Sequence, residues 1–132
     1  MRLAAVLLLA TLAAACSGAG ITAASQDQAQ YVGTWAQREK VNGTLFVIKL
    51  SAQGSDIVGT GTYTLDDGRT GPVTGTGTVA NGALQLALTY NSGQEAQFSG
   101  QLSSTTVLSG GLHFGPVQSL TPSAVVAFDK KD

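Results

Sequence analysis

Few side chains in this 132-residue sequence are of a type that performs chemistry near neutral pH. The sequence has one histidine, His113, and one cysteine, Cys16. A transition-metal site needs several histidine or cysteine ligands, and a serine or threonine nucleophile needs a base and an orienting carboxylate. Neither a metal-ligand set nor a catalytic triad can be assembled around His113. Side chains alternate between the two faces of a strand, and this alternation turns His113 outward. The sequence therefore predicts no catalytic residue, no metal site, no cofactor and a protein that is not an enzyme.

The charged residues also argue against two classes of partner. Asp66 and Asp67 precede Gly68, a pattern typical of a turn in which aspartate bonds to nearby backbone, and calcium binding there is the weaker alternative. Seven basic and eight acidic residues give a formal net charge of −1. Because no basic stripe is available to neutralise a phosphate backbone, we expect no nucleic acid partner.

The N-terminal segment predicts export and attachment to a membrane. An apolar run and three alanines make residues 1–15 a secretory signal peptide that is too short to span a bilayer. Leu12-Ala13-Ala14-Ala15-Cys16 resembles a bacterial lipobox, with Ala13 where that pattern prefers leucine. The resemblance implies that Cys16 is acylated and becomes the mature N-terminus, and several acyl chains anchor a protein stably. The alternative is an ordinary signal peptide followed by an unpaired cysteine.

The resemblance to lipoproteins extends to the next residue and sets the predicted domain organisation. Ser17 resembles the residue that lets lipoproteins proceed to the outer membrane of bacteria with two membranes. Small and polar residues at 16–30 predict a flexible tether. Residues 31–132 then form one β-barrel domain in the cell envelope.

The remainder of the chain shows the alternation of half-buried strands. Successive strand side chains point to opposite faces, so glycines and apolar residues at 57–65 and 73–79 share an inward face, and threonines share the outward face. Asn81-Gly82 is a type I′ hairpin signal, and the register it sets places leucines opposite glycines. The predicted pairs are Val79 with Leu84, Gly77 with Leu86 and Gly75 with Leu88.

Two more loops extend this register. A three-residue loop at 91–93 predicts Leu88 opposite Ala96, Leu86 opposite Phe98 and Leu84 opposite Gly100. A loop at 103–105 would place Gly100 opposite Leu108 and Phe98 opposite Gly110.

Further strands complete the predicted fold. Segments 31–39 and 44–50 flank the turn signal Asn42-Gly43, and 123–129 is a last β-branched run. The sequence thus predicts an all-β fold, an eight-stranded antiparallel up-and-down meander β-barrel. Eight strands close into a barrel whose interior is filled by side chains or holds one small ligand.

Three segments resemble the first three strands of avidin-type barrels and, more loosely, lipocalin-like proteins. They are Gly33-Thr34-Trp35, Gly43-Thr44-Leu45-Phe46-Val47-Ile48 and Gly61-Thr62-Tyr63. The resemblance implies that Gln37, Thr44 and Tyr63 line a ligand cup, and the alternation turns the same three side chains inward. Since Trp35 is the only tryptophan, the later tryptophans that stack on biotin are missing. We expect no biotin binding, and we expect Trp35 to plug the closed end of the barrel.

Two classes of function follow from these observations. The first is reversible binding of a small apolar molecule by a membrane-anchored lipoprotein. Its predicted ligand-binding residues are Gln37, Thr44, Phe46, Tyr63, Leu86, Phe98 and Leu112. The alternative is a protein-interaction module with a filled barrel, such as an inhibitor of an exported hydrolase or an envelope scaffold. The outward pair Leu45 and Val47 offers an apolar strip for a protein partner or for homo-oligomer formation. The free volume inside the barrel separates the two classes. The inward glycines either leave a cavity for a ligand or make room for the leucines on the facing strand.

Overall fold

The structure, a computed structural model, describes residues 26–115 and 124–132 as a short helix and a closed eight-stranded barrel. The elements are α1 (Gln26–Tyr31), β1 (Gly33–Gln37), β2 (Thr44–Gln53), β3 (Asp56–Leu65), β4 (Thr70–Ala80), β5 (Ala83–Tyr90), β6 (Gln94–Ser104), β7 (Val107–Phe114) and β8 (Ala124–Lys130). Each strand pairs antiparallel with the next, and β8 returns to pair with β1. The predicted eight-stranded antiparallel up-and-down meander β-barrel is confirmed. The predicted signal peptide and Cys16 lie outside the described residues.

The asparagine–glycine turns form as predicted. Asn42 and Gly43 have φ angles of 54° and 73°, and Asn81 and Gly82 have φ angles of 54° and 77°. Both central residues of each turn are therefore left-handed, as a type I′ hairpin requires. The three-residue connection at 91–93 also forms, with the amide of its last residue donating to the carbonyl oxygen of Tyr90 at 3.1 Å.

The register between β4, β5 and β6 matches the prediction at every pair. Gly77 faces Leu86, and Leu86 in turn faces Phe98. A Cβ atom at Gly77 would overlap the backbone carbonyl of Gln85, and one at Gly75 would lie 2.8 Å from the Leu88 side chain. These glycines are required because the neighbouring strand and its leucines occupy the space that a side chain would take.

The register between β6 and β7 differs from the prediction by two residues. Phe98 faces Leu112 instead of Gly110, and Gly100 is not opposite Leu108. The connection has two residues instead of three, and a bulge in β6 precedes it, so the strands are offset. Strand side chains alternate with a period of two, so a register shift by two positions keeps every side chain on its predicted face. The residues predicted to face inward therefore still do so, although their partners differ.

Helix α1 covers one end of the barrel, which we call the proximal end. The Gln28 side chain is buried and donates to the carbonyl oxygens of Gly54 at 3.2 Å and Asp56 at 3.4 Å. The Tyr31 hydroxyl donates to the carbonyl oxygen of Gly82 at 2.9 Å. Residues 26–31 thus form a helix attached to two hairpin turns, and this helix crosses the predicted boundary between tether and barrel at residue 30. In the described ranges, no helix is long and apolar enough to cross a membrane.

Trp35 fills the barrel just inside α1, as predicted for a plug. It is 1% exposed, and its Nε1 donates to the carbonyl oxygen of Tyr31 at 2.9 Å. The Lys130 ammonium lies 5.9 Å from the centroid of its ring. The opposite or distal end carries the turns at 42–43, 66–69 and 91–93.

Candidate functional site

All seven predicted ligand-binding side chains point into the barrel. Their exposed fractions are 7% or less, so the alternation that turned them inward is confirmed. The four nearer the distal end are Gln37, Thr44, Phe46 and Tyr63. The other three, Leu86, Phe98 and Leu112, belong to the apolar core.

The described residues of the core enclose little free space. A cavity of about 10 Å³ remains, lined by Trp35, Ile48, Leu50, Leu86, Leu88, Phe98, Leu108 and Phe128. That volume admits at most about one water molecule. The inward glycines therefore make room for the facing leucines and do not leave a ligand cavity. A ligand in contact with Leu86, Phe98 or Leu112 would have to displace packed side chains.

Gln37 uses its amide to hold the chain at the β1–β2 connection. Its Oε1 accepts from the Phe46 amide at 2.9 Å. Its Nε2 donates to the carbonyl oxygens of Glu39 at 2.7 Å and Thr44 at 3.1 Å. Because both amide hydrogens are engaged, Gln37 positions the start of β2 and has no N–H left for a ligand.

Two tyrosines bring their hydroxyls to the distal end. The Tyr63 hydroxyl donates to Asn91 Oδ1 at 3.2 Å. Burial raises the pKa of Tyr90 above its usual range, while a hydrogen bond with the Thr44 side chain acts in the opposite direction. Both rings are buried, at 7% and 6% exposed. These phenols are hydrogen-bonding groups held in fixed positions by neighbouring polar side chains.

Four rings form what we call the distal aromatic cluster, made of Phe46, Tyr63, Tyr90 and Phe114. Phe46 lies 5.0 Å from Tyr90 in an edge contact and 6.4 Å from Phe114 in a stacked one, measured between ring centroids. Tyr63 lies 5.5 Å from Tyr90. The site prediction omitted Tyr90 and Phe114, although the alternation through Leu88 and Leu112 places both on the inward face.

A surface depression of about 430 Å³ lies against this cluster, and we call it the distal depression. Its lining consists of Asn42, Tyr90, Gly93, Gln94, Glu95, Phe114 and Gly115. The volume falls within the range of about 300–1,000 Å³ that is typical of small-molecule sites. The partly exposed Phe114 supplies most of the apolar ring surface, since Tyr90 is 6% exposed, while Asn42 and Gln94 supply amide groups. The depression therefore combines an apolar surface with a few polar groups that fix orientation.

His113 lies on the outer face, as predicted, opposite Gln97. The residue is partly buried, and among the described residues its Nε2 finds no hydrogen-bond partner. No group of three histidine, cysteine, aspartate or glutamate side chains in the described ranges is arranged to hold a metal ion.

Asp67 has the predicted turn role. Its carboxylate accepts from the Arg69 amide at 3.0 Å and from Arg69 Nε at 2.7 Å. These hydrogen bonds, the backbone one first, lower the pKa of Asp67. The β3–β4 turn is thus closed by its own side chains.

The barrel wall contains a second depression, which we call the wall groove. The β1–β8 ladder ends at Gln37 opposite Phe128, and one further bond runs from the Arg38 amide to the Ala127 carbonyl oxygen at 2.9 Å. Beyond that point the chain leaves β8. The resulting groove of about 420 Å³ is lined by Arg38, Glu39, Lys40, Val41, Ser109, Val125, Val126 and Ala127. Val125 is 90% exposed.

No family model and no curated protein matches the chain. Solved structures of designed β-barrels do match. A barrel named EF1p2_mFAP2b bound to DFHBI has a TM-score of 0.65 at 16% identity, covering 81% of this chain and 100% of its own. The redesigned barrel mFAP1, also bound to DFHBI, has a TM-score of 0.63 at 18% identity, covering 80% and 100%. A de novo designed fluorescence-activating barrel has a TM-score of 0.64 at 17% identity, covering 80% and 98%. At these identities the likeness establishes the fold, that of a small closed β-barrel.

Proposed function

We propose that this protein is a non-enzymatic binding module that holds a small, largely apolar molecule in the distal depression. The observation that carries the proposal is the depression of about 430 Å³ against the rings of Tyr90 and Phe114. The other end of the barrel is covered by α1, and the core is filled. The designed barrels of the same fold that hold DFHBI support the proposal, because they are small barrels with a bound dye.

The expected source of affinity is burial of ligand surface on the partly exposed ring of Phe114, because Tyr90 is 6% exposed and offers little surface. Apolar burial contributes about 25 cal/mol per Å², so a flat ligand gains more from ring contact than from single hydrogen bonds. Asn42 and Gln94 would orient the ligand through their amides. The ligand would not touch the four predicted residues nearer the distal end. These residues lie on the core side of Tyr90 and Phe114 and would support those two rings; they are Gln37, Thr44, Phe46 and Tyr63.

Phe114→Ala should weaken this binding by about 5- to 10-fold, because a loss of about 40–55 Å² of buried ligand surface has that effect at about 25 cal/mol per Å². The measurement is a fluorescence titration of the purified full chain with 1-naphthalenemethanol, a neutral aromatic probe. Val125→Ala is the control, since Val125 lies in the wall groove and not in the distal depression. Absence of saturable binding up to millimolar probe, or equal affinity in the Phe114 variant, would rule out the proposed site.

We further propose that Cys16 is acylated and anchors the barrel to the bacterial cell envelope, at the outer membrane where a second membrane exists. The support is the lipobox-like run and the single cysteine of the sequence. The chain enters the barrel through α1 at the proximal end, so the distal depression would face away from the attachment point.

Cys16→Ala should move the protein from the membrane fraction to the soluble fraction, because two or more acyl chains anchor stably and an unmodified chain has none. Fractionation of cells that produce the wild type and the variant measures this. Ser17→Ala, which leaves the thiol in place, should remain in the membrane fraction. A wild-type protein found mainly in the soluble fraction would show that the anchor is not formed.

Protein interaction with a filled barrel remains the second candidate function. The specific observations in its favour are the core cavity of about 10 Å³ and the wall groove with Val125 90% exposed. An exported hydrolase or an envelope scaffold partner would dock there. Native mass spectrometry of the Cys16→Ala protein from its own host separates the two candidates, since a retained small molecule supports the first and a retained polypeptide supports the second.

A further inference from the structure

We propose that the distal depression selects organic cations, namely molecules with a flat apolar body and a protonated or quaternary amine, over neutral and anionic molecules of the same shape. This inference rests on the proposed function, because it names the class of ligand for the same depression. Two observations carry it. One is that, among the described residues, the basic side chains at the distal end are in ion pairs while two carboxylates are not. The other is that Glu95 lines the same depression as Tyr90 and Phe114.

The described basic side chains at the distal end are all in ion pairs. The pairs are Arg38 with Asp129 at 2.8 Å, Lys40 with Asp66 at 3.3 Å and Arg69 with Asp67 at 2.7 Å. Two carboxylates at the same end, Glu39 and Glu95, are in no ion pair within residues 26–115 and 124–132. The sequence of the β7–β8 connection, 116–123, contains no ionisable residue that would balance them. The distal end therefore carries an excess of negative charge.

Only one of the two unpaired carboxylates belongs to a residue that lines the distal depression. Glu95 lines the distal depression together with Tyr90 and Phe114, whereas Glu39 lines the wall groove. Among the residues that the structure describes, the lining of the depression includes no lysine or arginine. A cation in the depression would gain from the partly exposed ring of Phe114 and from the nearby negative charge of Glu95, which lines the same depression. An anion meets the same carboxylate with no basic partner in the lining, so its binding is opposed.

The experiment compares three probes of nearly equal shape on the full chain. They are 1-naphthylmethylammonium, 1-naphthalenemethanol and 1-naphthoate, titrated at pH 7 by fluorescence. We expect the cation to bind about 5-fold more tightly than the neutral alcohol, since a cation over a partly exposed ring and a solvent-screened carboxylate have effects of this order. We expect the naphthoate to bind more weakly than the alcohol. The preference for the cation should decrease in high salt, which screens exposed charges.

Glu95→Gln and Glu39→Gln form a matched pair of variants. Each removes one unpaired carboxylate from the distal end, and both residues are exposed, so neither change should unfold the protein. Glu95→Gln should reduce the cation-to-alcohol affinity ratio by about 2- to 5-fold and leave the affinity for the alcohol unchanged. Glu39→Gln should leave the ratio nearly unchanged, because Glu39 lies outside the depression.

The outcomes separate this inference from the proposed function. If the alcohol binds, and its binding is weakened in Phe114→Ala as expected, but the cation binds no better, the depression is a small-molecule site and the cation selectivity is wrong. If equal losses follow from Glu95→Gln and Glu39→Gln, the preference reflects overall charge and the assignment to Glu95 is wrong. If none of the three probes saturates up to millimolar concentration, the proposed function fails and the inference fails with it.

Discussion

Replacing Trp35 with alanine is expected to lower the free energy of unfolding by about 3–5 kcal/mol, the usual cost of truncating a large buried aromatic residue. Trp35 is 1% exposed and lies between α1 and the core. Alanine in its place would leave a cavity that the closed ladder of strands cannot easily collapse to fill. Because small domains are stable by only about 5–15 kcal/mol, this change removes a large share of the total.

Two further variants separate the ring of Trp35 from its hydrogen bond. Trp35→Phe keeps an aromatic ring but loses the donor to the Tyr31 carbonyl oxygen, and we expect a cost of about 1–2 kcal/mol. Val125→Ala changes a side chain that is 90% exposed, and we expect a cost within about 0.5 kcal/mol. Equilibrium unfolding in urea measures all three. A cost below about 1 kcal/mol for Trp35→Ala would show that the tryptophan does not support the proximal end.

The local elements of this fold are predictable because short-range chemistry determines them. Asn42-Gly43 and Asn81-Gly82 favour the left-handed backbone of a type I′ turn, and both turns form. Each turn then sets the pairing of the strands beside it, which is why Gly77 is opposite Leu86 as expected. The strand alternation also placed all seven predicted ligand-binding side chains on the inward face.

The errors occur where local signals are weak or where tertiary contacts decide. The serine and threonine run between β6 and β7 contains no glycine or asparagine to fix the turn, so a bulge and a two-residue connection escaped prediction. Helix α1 has six residues and shows no amphipathic stripe. It forms on the barrel because Gln28 and Tyr31 bond to hairpin turns that are distant in sequence.

The candidate site is harder to predict than the fold, because a side chain that faces the barrel interior is not necessarily accessible to a ligand. The alternation predicts Leu86 and Phe98 in a ligand cup, yet the space that the glycines leave is occupied by facing strands and leucines. The sequence predicts a ligand contact for Gln37, yet the side-chain amide of Gln37 holds the β1–β2 connection. The alternation of residues along a strand predicts which way each side chain points. The free volume of the barrel interior and the hydrogen-bond partners of its polar side chains depend on all eight strands together.

The charge distribution could have been read from the sequence only in part. The net charge of −1 does not reveal that, within the described part of the chain, the basic residues at the distal end are in ion pairs while Glu39 and Glu95 are not. Pairing depends on which turns meet at the same end of the barrel, and that follows from the topology. An almost neutral protein can therefore present a locally acidic site.

Gly77→Val is expected to cost about 3 kcal/mol, at the upper end of the usual range for overpacking. A Cβ atom at Gly77 would overlap the backbone carbonyl of Gln85 and lie 2.9 Å from the Leu86 Cα atom. Backbone cannot rotate away as a flexible side chain does, so β4 and β5 would have to move apart and weaken their ladder. Thr76→Val is the matched control, because it introduces the same side chain one position earlier on the exposed outer face. We expect that control to change stability by no more than about 0.5 kcal/mol. Urea unfolding of the two variants measures the difference, and equal stabilities would contradict the assignment of Gly77 to the inward face opposite Leu86.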